Sequence, residues 1–472
     1  MLFNSLIFLF FFPVTALIYF LLPNLRLRNL FLLLASYYFY MNWNPRYAIL
    51  IASVTVISYI SSLLLEKWSF PDRRKAVAAV CIVLILAVLF TYKYLGFAAD
   101  AVSAVLRYSG LAIRIPEFKI LLPVGISFFS FQAIGYLVDV YRRTIPAERD
   151  FFTYALFISF FPQLVAGPIE RAKNLLPQFK ILHRFSPVMV LEGLRMMLWG
   201  YFLKLCIAER IAPYVDAVFN NYLFHNGNSL VLGTIFFTFQ IYGDFCGYSL
   251  IACGTSRCLG FKLMQNFDHP YLAESIRDFW RKWHISLSTW FMDYLYIPLG
   301  GNRCSTPRHI FNLMVTFLVS GIWHGANWTF VFWGLLHGVF ISGHTLYRKY
   351  LPQIRIWSPL HKLLSIGLTF ACVSLCWVFF RAESIGAGFS IIGKIFTERG
   401  QLFNGDGLPN QLLGIFCIMI MLAVEIKREL KLKFRLLRSD HPAVCSLSMA
   451  SLLALILLTA AFHGGQFIYF QF

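Results

Sequence analysis

The chain has 472 residues, of which 58% are hydrophobic, 18% are aromatic and only 13% are charged. This composition leaves no room for a separate soluble domain and indicates a polytopic membrane protein. Basic residues contribute a formal net charge of +19 and cluster in short loops, such as Arg73-Arg74-Lys75. That is the positive-inside pattern of membrane proteins, so we expect contact with membrane lipid and no nucleic-acid partner.

Apolar runs near the length of about 20 residues that a spanning helix needs recur along the whole chain. The clearest runs are 2–23, 46–66, 76–92, 186–207, 229–252, 360–380, 411–425 and 444–462. The first run lacks a basic leader and a small-residue cleavage site, which predicts a retained helix rather than a removed signal. Arg26 and Arg28 follow it, so we expect the next loop to be cytoplasmic and the N-terminus to lie outside.

The ten cysteines are scattered without a C-x-x-C pair, and most lie inside apolar runs. This distribution predicts neither a disulfide framework nor a zinc site. The H-E-x-x-H, P-loop and G-x-S-x-G motifs are absent from the sequence. We therefore expect no bound metal ion and no bound cofactor.

Prolines and a glycine interrupt the hydrophobic pattern at residues 160–179, FFPQLVAGPIERAKNLLPQF. Pro168 pushes Gly167 away from helical angles, and Glu170 and Arg171 follow directly. One interpretation is a re-entrant or cavity-lining segment, because non-helical backbone at membrane depth needs cover from protein or water. The other interpretation is an interfacial loop followed by an amphipathic surface helix.

Residues 238–254, TFQIYGDFCGYSLIACG, place Gln240 and Asp244 one helical turn apart inside an apolar run. An ionisable side chain at that depth costs about 3 kcal/mol or more, so we expect Asp244 to face a polar interior and to have a partner. Gly243 and Gly247 would let a neighbouring helix approach closely. A purely structural hydrogen bond between helices is the alternative to a role in ligand binding.

Charged and aromatic side chains are mixed in residues 275–303, SIRDFWRKWHISLSTWFMDYLYIPLGGNR. At helical spacing Asp278 pairs with Lys282, while His284 and Ser288 share a face. We therefore predict a helix at the cytoplasmic boundary. Its basic edge would meet anionic headgroups or an anionic ligand, and its histidine face would turn inward. The alternative is a tryptophan-anchored interfacial helix without chemistry.

His324 stands in an otherwise apolar stretch, SGIWHGANWTFVFWGLLHG at residues 320–338. The segment bracketed by Arg308 and Arg348 would be roughly 54 Å long as one straight helix, whereas the hydrocarbon core of a bilayer is about 30 Å thick. One straight spanning helix therefore does not fit this segment.

The economical solution is a break between Gly321 and Asn327, which separates a short segment over 310–320 from a full span over about 328–346. His324 then lies at the break, well inside the membrane. The side chains expected around it are Trp323, Asn327 and Trp328.

His337 follows His324 in the same stretch. On one helix the intervening residues advance the angle by about 220°, which points the two rings away from each other. We therefore do not predict a dyad of these two histidines. His337 instead shares a face with His344, as a polar lining or a helix contact would require.

A histidine at such a place suits general base catalysis, because its reference pKa of about 6.5 lies near neutrality. An apolar site favours the neutral imidazole, which is the form that accepts a proton. The residues alone leave open an acyl- or proton-transfer enzyme with a histidine base and a transporter with a histidine in its pathway. A scaffold for an export complex is a third class, in which His324 would be dispensable.

Two segments resemble the paired signature of the membrane-bound O-acyltransferase (MBOAT) family, in its bacterial alginate O-acetyltransferase-like branch. They are FWRKWHISLSTWFMDYLYIPLGGNR at 279–303 and WHGANWTFVFWGLLHG at 323–338. The segments FPQLVAGPIERA, NFDHPYLAESIRDFW, FFRAES and the terminal FIYFQF are also similar to that branch and occur in its order. The resemblance extends from about residue 120 to the end of the chain.

The resemblance implies an all-α, polytopic fold, in which about 11 to 13 transmembrane or re-entrant helices surround a central tunnel. It implies a single membrane-embedded domain over residues 1–472, with a catalytic core over about 120–400. It also implies a multi-pass protein of the bacterial cytoplasmic (inner) membrane.

The reaction that the resemblance implies is O-acyl transfer, with His324 as the catalytic histidine and His284 as a second histidine on the cytoplasmic approach. The implied donor is acetyl-CoA, and its acetyl group would cross the membrane to O-acetylate an extracytoplasmic polymer such as alginate, cellulose or peptidoglycan. A separate extracytoplasmic acetyltransferase is the expected partner. D-alanyl transfer to teichoic acid, by a related branch, is the alternative.

Several side chains near the two histidines are candidate contacts for substrate or donor. Arg281 and Lys282 suit a phosphate-bearing donor, and Asn327 or Trp323 would steady a developing oxyanion. The full set of candidate contacts is Arg281, Lys282, Trp283, Trp323, Asn327, Trp328 and Asp244. A covalent acyl-histidine or acyl-serine relay stays open beside direct transfer with His324 as the base.

Overall fold

A computed structural model describes residues 1–110, 116, 118, 122–165, 167–351, 359–405, 407–432, 437, 441–461 and 468. These residues form α-helices and short 3-10 and π-helical segments, and no β-strand occurs among them. The predicted all-α class is therefore confirmed.

Twenty α-helices lie in the described ranges. In chain order they are α1 (Leu6–Leu21), α2 (Leu25–Met41), α3 (Tyr47–Lys67), α4 (Pro71–Lys93), α5 (Leu95–Tyr108), α6 (Ile126–Tyr141), α7 (Phe151–Ser159), α8 (Phe161–Leu164), α9 (Ala172–Leu175), α10 (Pro187–Tyr201), α11 (Glu209–Asn220), α12 (Gly227–Cys258), α13 (Ile276–Lys282), α14 (Ile285–Phe291), α15 (Thr306–His324), α16 (Trp328–Tyr350), α17 (Pro359–Arg381), α18 (Ile385–Thr397), α19 (Leu408–Glu429) and α20 (Pro442–Thr459). The 3-10 segments are Leu176–Lys180, Tyr222–Phe224 and Pro270–Leu272, and the π-helical segments are Phe202–Ala208 and Met292–Tyr296.

Seven helices in the described part of the chain are long and apolar enough, by length and composition, to cross a membrane. They are α3, α4, α12, α16, α17, α19 and α20, and the shorter apolar helices are α1, α6 and α18. Most of the predicted apolar runs coincide with one of these helices, and the run at 186–207 consists of α10 and the π-helical segment that follows it. The chain is a multi-pass membrane protein.

The chain divides into two compact units. The first consists of Met1–Leu194 and Ala252–Met264, and the second of Arg195–Ile251 and Gln265–Phe472. The single domain expected over 1–472, with its catalytic core, stays a prediction.

In the first unit, two arginines from predicted basic loops are buried, since Arg28 and Arg74 keep only 8% and 6% exposure. Arg74 donates hydrogen bonds to the carbonyl oxygens of Val140 and Tyr141, at 3.2 and 2.8 Å, and Arg28 donates to that of Leu22 at 2.8 Å. Carbonyl groups at helix ends lack helical partners, so these guanidinium groups satisfy them. Both arginines are thus structural, which the loop pattern alone did not predict.

The proline-rich segment between α7 and α9 also belongs to the first unit, and every described residue from 160 to 172 is buried. Glu170 accepts a hydrogen bond from the backbone N–H of Met264. Burial raises the pKa of the Glu170 carboxyl to about 7. Protein therefore covers the backbone of the described residues from 160 to 172, as the first interpretation requires. Residues 173–180 have exposed and buried side chains on alternate sides, as a short amphipathic surface helix does, so both interpretations of the segment stay open.

In the second unit, α11, α19 and α20 pack against the π-helical segment 202–208. The helix α12 passes close to the same region. A Cβ atom on Gly247 would lie 2.7 Å from the carbonyl oxygen of Gly200, and one on Gly243 would lie 2.9 Å from that of Leu203. The close helix approach predicted for Gly243 and Gly247 is therefore confirmed.

Candidate active site

The helix break predicted around His324 is present, because α15 ends at His324 and α16 begins after the non-helical residues 325–327. Asn327 caps α16, with its side-chain oxygen accepting a hydrogen bond from the backbone N–H of Thr329 at 3.0 Å. The helix before the break has 19 residues, so the short segment expected over 310–320 is wrong. A proline in the first turn, where proline is favoured, lets this helix begin before the predicted residue 310. His324 consequently lies at the carboxyl end of a full-length helix.

Glycines let α15 and α16 pack closely beside the break. A Cβ atom on Gly321 would lie 2.3 Å from the carbonyl oxygen of Phe330, and one on Gly334 would lie 2.4 Å from that of Phe317. Side chains do not tolerate such distances, so this backbone approach requires glycine at both positions. The close packing of the two helices thereby holds His324 in place.

His324 is 3% exposed and lies among aromatic rings. Its ring centroid is 4.9 Å from that of Trp333, 5.1 Å from that of Trp323 and 5.6 Å from that of Phe380. The ring of His284 lies 6.5 Å away. The structure thus brings together the two histidines singled out in the sequence, inside an aromatic enclosure.

His284 lies at a second helix break rather than inside one helix. α13 ends at Lys282 and α14 begins at Ile285, so the continuous helix predicted here is wrong. His284 adopts left-handed backbone angles, φ 44° and ψ 53°, which cost an ordinary residue about 1–2 kcal/mol. The physical reason for the break is tertiary, because the backbone N–H of Ile285 donates to the Asn266 carbonyl oxygen at 2.9 Å instead of continuing the helix.

The imidazole of His284 is fully buried, with its ring centroid 4.6 Å from that of Phe245. Its Nδ1 lies 3.1 Å from the side-chain oxygen of Asn266. His284 lies outside the seven helices that are long and apolar enough to cross a membrane. Burial lowers the pKa of its imidazole to about 3. The ring is therefore neutral near pH 7, and one of its two nitrogens carries no proton.

His337 is fully buried in α16 and contacts the same indole ring as His324, with its centroid 4.8 Å from that of Trp333. The indole N–H of Trp280 donates a hydrogen bond to Nδ1 of His337 at 3.2 Å. Because an indole N–H only donates, this Nδ1 carries no proton. His337 thus makes a helix contact, which is one of the two roles that the sequence left open for it.

The basic edge of α13 divides into two faces. Lys282 pairs with Asp278 at 3.2 Å, as the sequence predicted, and with Glu429 of α19 at 3.6 Å. Arg277 and Arg281 are exposed. Carboxylates therefore hold Lys282, whereas the two arginines present their charge at the surface.

The remaining candidate contacts differ in their surroundings. Trp283 is fully buried, and Trp323 is 4% exposed and in ring contact with His324. Trp328 is 56% exposed, and Asn327 is also exposed. Of the three side chains expected around His324, the structure thus places Trp323 in the enclosure and leaves the other two exposed.

Asp244 has the buried partner that its depth in the membrane requires. Its carboxylate lies 2.6 Å from Nζ of Lys204, which also lies 2.7 Å from the carboxylate of Glu209. The backbone N–H of Ile468 donates to the second oxygen of Asp244 at 2.7 Å. This buried ion group confirms the expected partner, and a contact of Asp244 with the donor stays a prediction.

The arrangement around His324 suits proton transfer between buried groups. Two imidazoles lie near each other, and the surrounding rings exclude water, which strengthens electrostatic interactions inside the site. In the part of the chain that the structure describes, no three histidine, cysteine, aspartate or glutamate side chains come together as a site for a metal ion.

Comparisons with known proteins identify the family of this chain. The family model described as MBOAT, membrane-bound O-acyltransferase family, matches residues 140–376, which include both histidines. A probable alginate O-acetylase, AlgI, from Azotobacter vinelandii is 39% identical over 403 residues, covering 84% of this chain and 78% of the relative. The chain belongs to the membrane-bound O-acyltransferase family.

Two further relatives of this acyltransferase have different named functions. A peptidoglycan O-acetyltransferase from Helicobacter pylori is 34% identical over 423 residues, 83% of this chain and 79% of the relative. A teichoic acid D-alanyltransferase from Streptococcus thermophilus is 27% identical over 233 residues, 46% of this chain and 55% of the relative. The O-acetylating relatives thus match more of the chain, and at higher identity.

Sequence reasoning missed two residues of this acyltransferase that contact predicted site residues, Lys204 beside Asp244 and Asn266 beside His284. Lys204 lies in a run treated as apolar, and its charge was the one signal that marked it. Asn266 lies in the segment NFDHPYLAESIRDFW, which resembles the family, but an asparagine in a loop carries no periodic signal. Their roles become visible only through their contacts with Asp244 and His284.

Proposed function

We propose that this acyltransferase transfers an acetyl group from acetyl-CoA, a thioester supplied by the cytoplasm, to hydroxyl groups of an extracytoplasmic polysaccharide or of peptidoglycan. The observation that carries the proposal is the placement of His324 and His284, with ring centroids 6.5 Å apart, in a buried aromatic enclosure. The alginate and peptidoglycan relatives are named for O-acetylation of these polymers, which supports both the acetyl group and the polymer acceptor.

In the proposed mechanism His324 is the general base. It accepts the proton of the acceptor hydroxyl while the hydroxyl oxygen attacks the thioester carbonyl carbon. A C–O bond forms, the C–S bond breaks, and the departing thiolate takes the proton from the imidazolium. Trp323, in ring contact with His324, supplies an indole N–H for the negative charge that develops on the carbonyl oxygen.

The phosphate groups of the donor are assigned to the exposed face of α13. Arg277 and Arg281 lie one helical turn apart on that face and are exposed. Like charges at this spacing repel each other, and an anionic ligand would relieve the repulsion. Lys282, a candidate contact from the sequence, is engaged by Asp278 and Glu429, so its main role in the proposal is to tie α13 to α19.

The proposal places the protein in the bacterial cytoplasmic membrane, with the donor on the cytoplasmic side and the acetyl group leaving on the other side. A separate extracytoplasmic acetyltransferase completes delivery to the polymer itself, whereas a small soluble acceptor can take the acetyl group from this chain directly. The support for this arrangement is the set of spanning helices together with the polymer named in each O-acetylating relative.

The test is acetyl transfer by the purified chain in sealed lipid vesicles, with radiolabelled acetyl-CoA outside and a soluble oligosaccharide acceptor inside. Wild-type protein should move label into the vesicles and onto the acceptor, and His324→Ala should reduce transfer by at least about a hundredfold, the lower range for a general base. His361→Ala is the matched control, because His361 is exposed on α17, and it should transfer label at the wild-type rate.

Other outcomes identify the alternatives. Transfer of labelled D-alanine from a carrier-protein thioester, without transfer of acetyl label, would favour the D-alanyl reaction. Flux of an ion or solute without acyl transfer would favour a transporter. Near-normal acetyl transfer by His324→Ala would remove His324 from the mechanism.

A further inference from the structure

Asn266 lies at the centre of a buried hydrogen-bond group beside His284. Its side chain is 2% exposed. The side-chain oxygen accepts hydrogen bonds from the backbone N–H and from the hydroxyl of Ser286, at 3.3 and 2.9 Å. The side-chain nitrogen donates to the hydroxyl oxygen of Ser249 at 3.2 Å. Every polar atom of this amide thus has a partner within the second unit.

These contacts identify which amide atom faces His284. A backbone N–H can only donate, so the atom that receives the N–H of Ser286 is the oxygen of Asn266. Nδ1 of His284 lies 3.1 Å from that same oxygen. An oxygen that accepts requires a donor opposite, so the proton of the neutral ring sits on Nδ1.

We propose that Asn266 is a positioning residue that holds His284 as the Nδ1–H tautomer, so that Nε2 is the ring nitrogen able to accept a proton. Nothing in the sequence or in the named relatives assigns a role to Asn266. The tautomer is a property of the folded chain, and its importance for catalysis rests on the proposed function.

The backbone of the same segment holds His284 in its strained conformation. The carbonyl oxygen of Asn266 accepts the N–H of Ile285 at 2.9 Å, and the N–H of Asp268 donates to the carbonyl oxygen of Lys282 at 2.9 Å. These two hydrogen bonds flank His284 on both sides. A residue in a sparsely populated backbone region persists when its surroundings over-determine it. The backbone of residues 266–268 therefore holds the backbone angles of His284, while the side chain of Asn266 faces its ring.

The surroundings of His284 make its tautomer matter. Burial keeps the ring neutral by lowering its pKa to about 3, and a titratable side chain, His324, lies in ring contact with it at 6.5 Å. Phe245 and Trp323 are also ring neighbours, at 4.6 and 6.0 Å. A neutral imidazole donates at one nitrogen and accepts at the other, and the wrong tautomer of the catalytic histidine in a serine-protease triad lowers kcat by about 10⁴. With its proton fixed on Nδ1, His284 can accept a further proton from a neighbouring group at Nε2.

The test is solid-state NMR of the full chain in lipid vesicles, with ¹⁵N in the histidine rings, since protonated and unprotonated ring nitrogens have distinct shifts. Signals of His284 are identified by their loss in His284→Gln. In wild-type protein at pH 7 we expect Nδ1 protonated and Nε2 unprotonated. Asn266→Ala should convert this signal to a mixture of both tautomers, and the control Ser249→Ala, which removes only the partner of the amide nitrogen, should leave it unchanged.

Asn266→Asp keeps the acceptor oxygen and adds a negative charge, so it tests the contact even if Asn266→Ala does not fold. The carboxylate should raise the titration midpoint of His284 by about 1–3 pH units. A wild-type Nε2–H tautomer, or an Asn266→Asp midpoint equal to that of wild type, would overturn the assignment.

Activity separates this assignment from the proposed function. In the vesicle assay, Asn266→Ala should lower kcat by at least about tenfold while the KM for acetyl-CoA changes little, and Ser249→Ala should retain the wild-type kcat. Wild-type kcat in an Asn266→Ala protein with mixed tautomers would refute the positioning role. The expected NMR signals in a wild-type chain that transfers no acetyl group would refute the proposed function alone.

Discussion

Removal of the cation from the buried ion group of Lys204, Asp244 and Glu209 should cause a large loss of stability. Lys204→Met keeps most of the volume and the apolar stem of the side chain. It leaves two carboxylates that are 3% and 5% exposed, with their cation gone. The variant therefore isolates the charge of Lys204 from its packing.

The magnitude follows from the distances. At an effective dielectric constant of about 20, each charge pair at 2.6 or 2.7 Å has a Coulomb attraction of roughly 6 kcal/mol. Desolvation offsets most of this attraction in the intact group. When the lysine is replaced, the attraction is lost but the carboxylates stay buried, and breaking such a pair costs about 3–5 kcal/mol. We expect a loss of that size in the free energy of unfolding.

The assay is thermal unfolding of the detergent-purified chain, followed by tryptophan fluorescence. Lys204→Met should lower the apparent Tm by more than about 5 °C. The triple variant with Asp244→Asn and Glu209→Gln should recover most of the loss, because it removes the unpaired charges. Lys362→Met is the matched control, since Lys362 is 44% exposed and its pairs with Glu274 and Glu429 are at the surface; we expect at most about 1 kcal/mol there. Equal Tm values for the two methionine variants, or no recovery in the triple variant, would refute the reasoning.

Three further predictions concern other parts of the molecule. Burial raises the pKa of the Glu170 carboxyl from 4.5 to about 7, so the folded state binds this proton more tightly than the unfolded state does. The free energy of unfolding should therefore fall by about 3 kcal/mol as the pH rises from 4.5 to 7. Glu170→Gln should remove this part of the pH dependence, as unfolding at several pH values will show. Gly321→Ala, whose methyl would lie 2.3 Å from a backbone oxygen of α16, should cost about 1–3 kcal/mol or more, whereas Gly343→Ala, with nothing within 4 Å, should not destabilise. Asn327→Ala should cost about 1 kcal/mol as the loss of a helix cap, and a fall in kcat of about a hundredfold would instead show that Asn327 stabilises the oxyanion.

The break at His324 was predictable, whereas the break at His284 was not. The first follows from length alone, because the apolar segment from Arg308 to Arg348 exceeds the bilayer thickness. The second contradicts the local pattern, since residues 275–303 have helical spacing and include the expected Asp278–Lys282 pair. Hydrogen bonds from the loop around Asn266 override that pattern.

The surroundings of the predicted site residues were likewise predictable only in part. The prediction that Asp244 has a partner was correct, because a lone charge in the membrane is costly. Its identity as Lys204 depends on how α12 packs beside the π-helical segment. The placement of Trp323 against His324, with Trp328 at the surface, depends on where α16 begins.

The sequence by itself determined the membrane class, most of the spanning helices and the break at His324. These properties depend on hydrophobicity and length along the chain, and both are local quantities. Only the tertiary structure decided the partner of Asp244, the left-handed conformation of His284 and the group that faces its Nδ1. Ion pairs and side-chain hydrogen bonds join residues far apart in sequence, so their geometry exists only once the helices have packed.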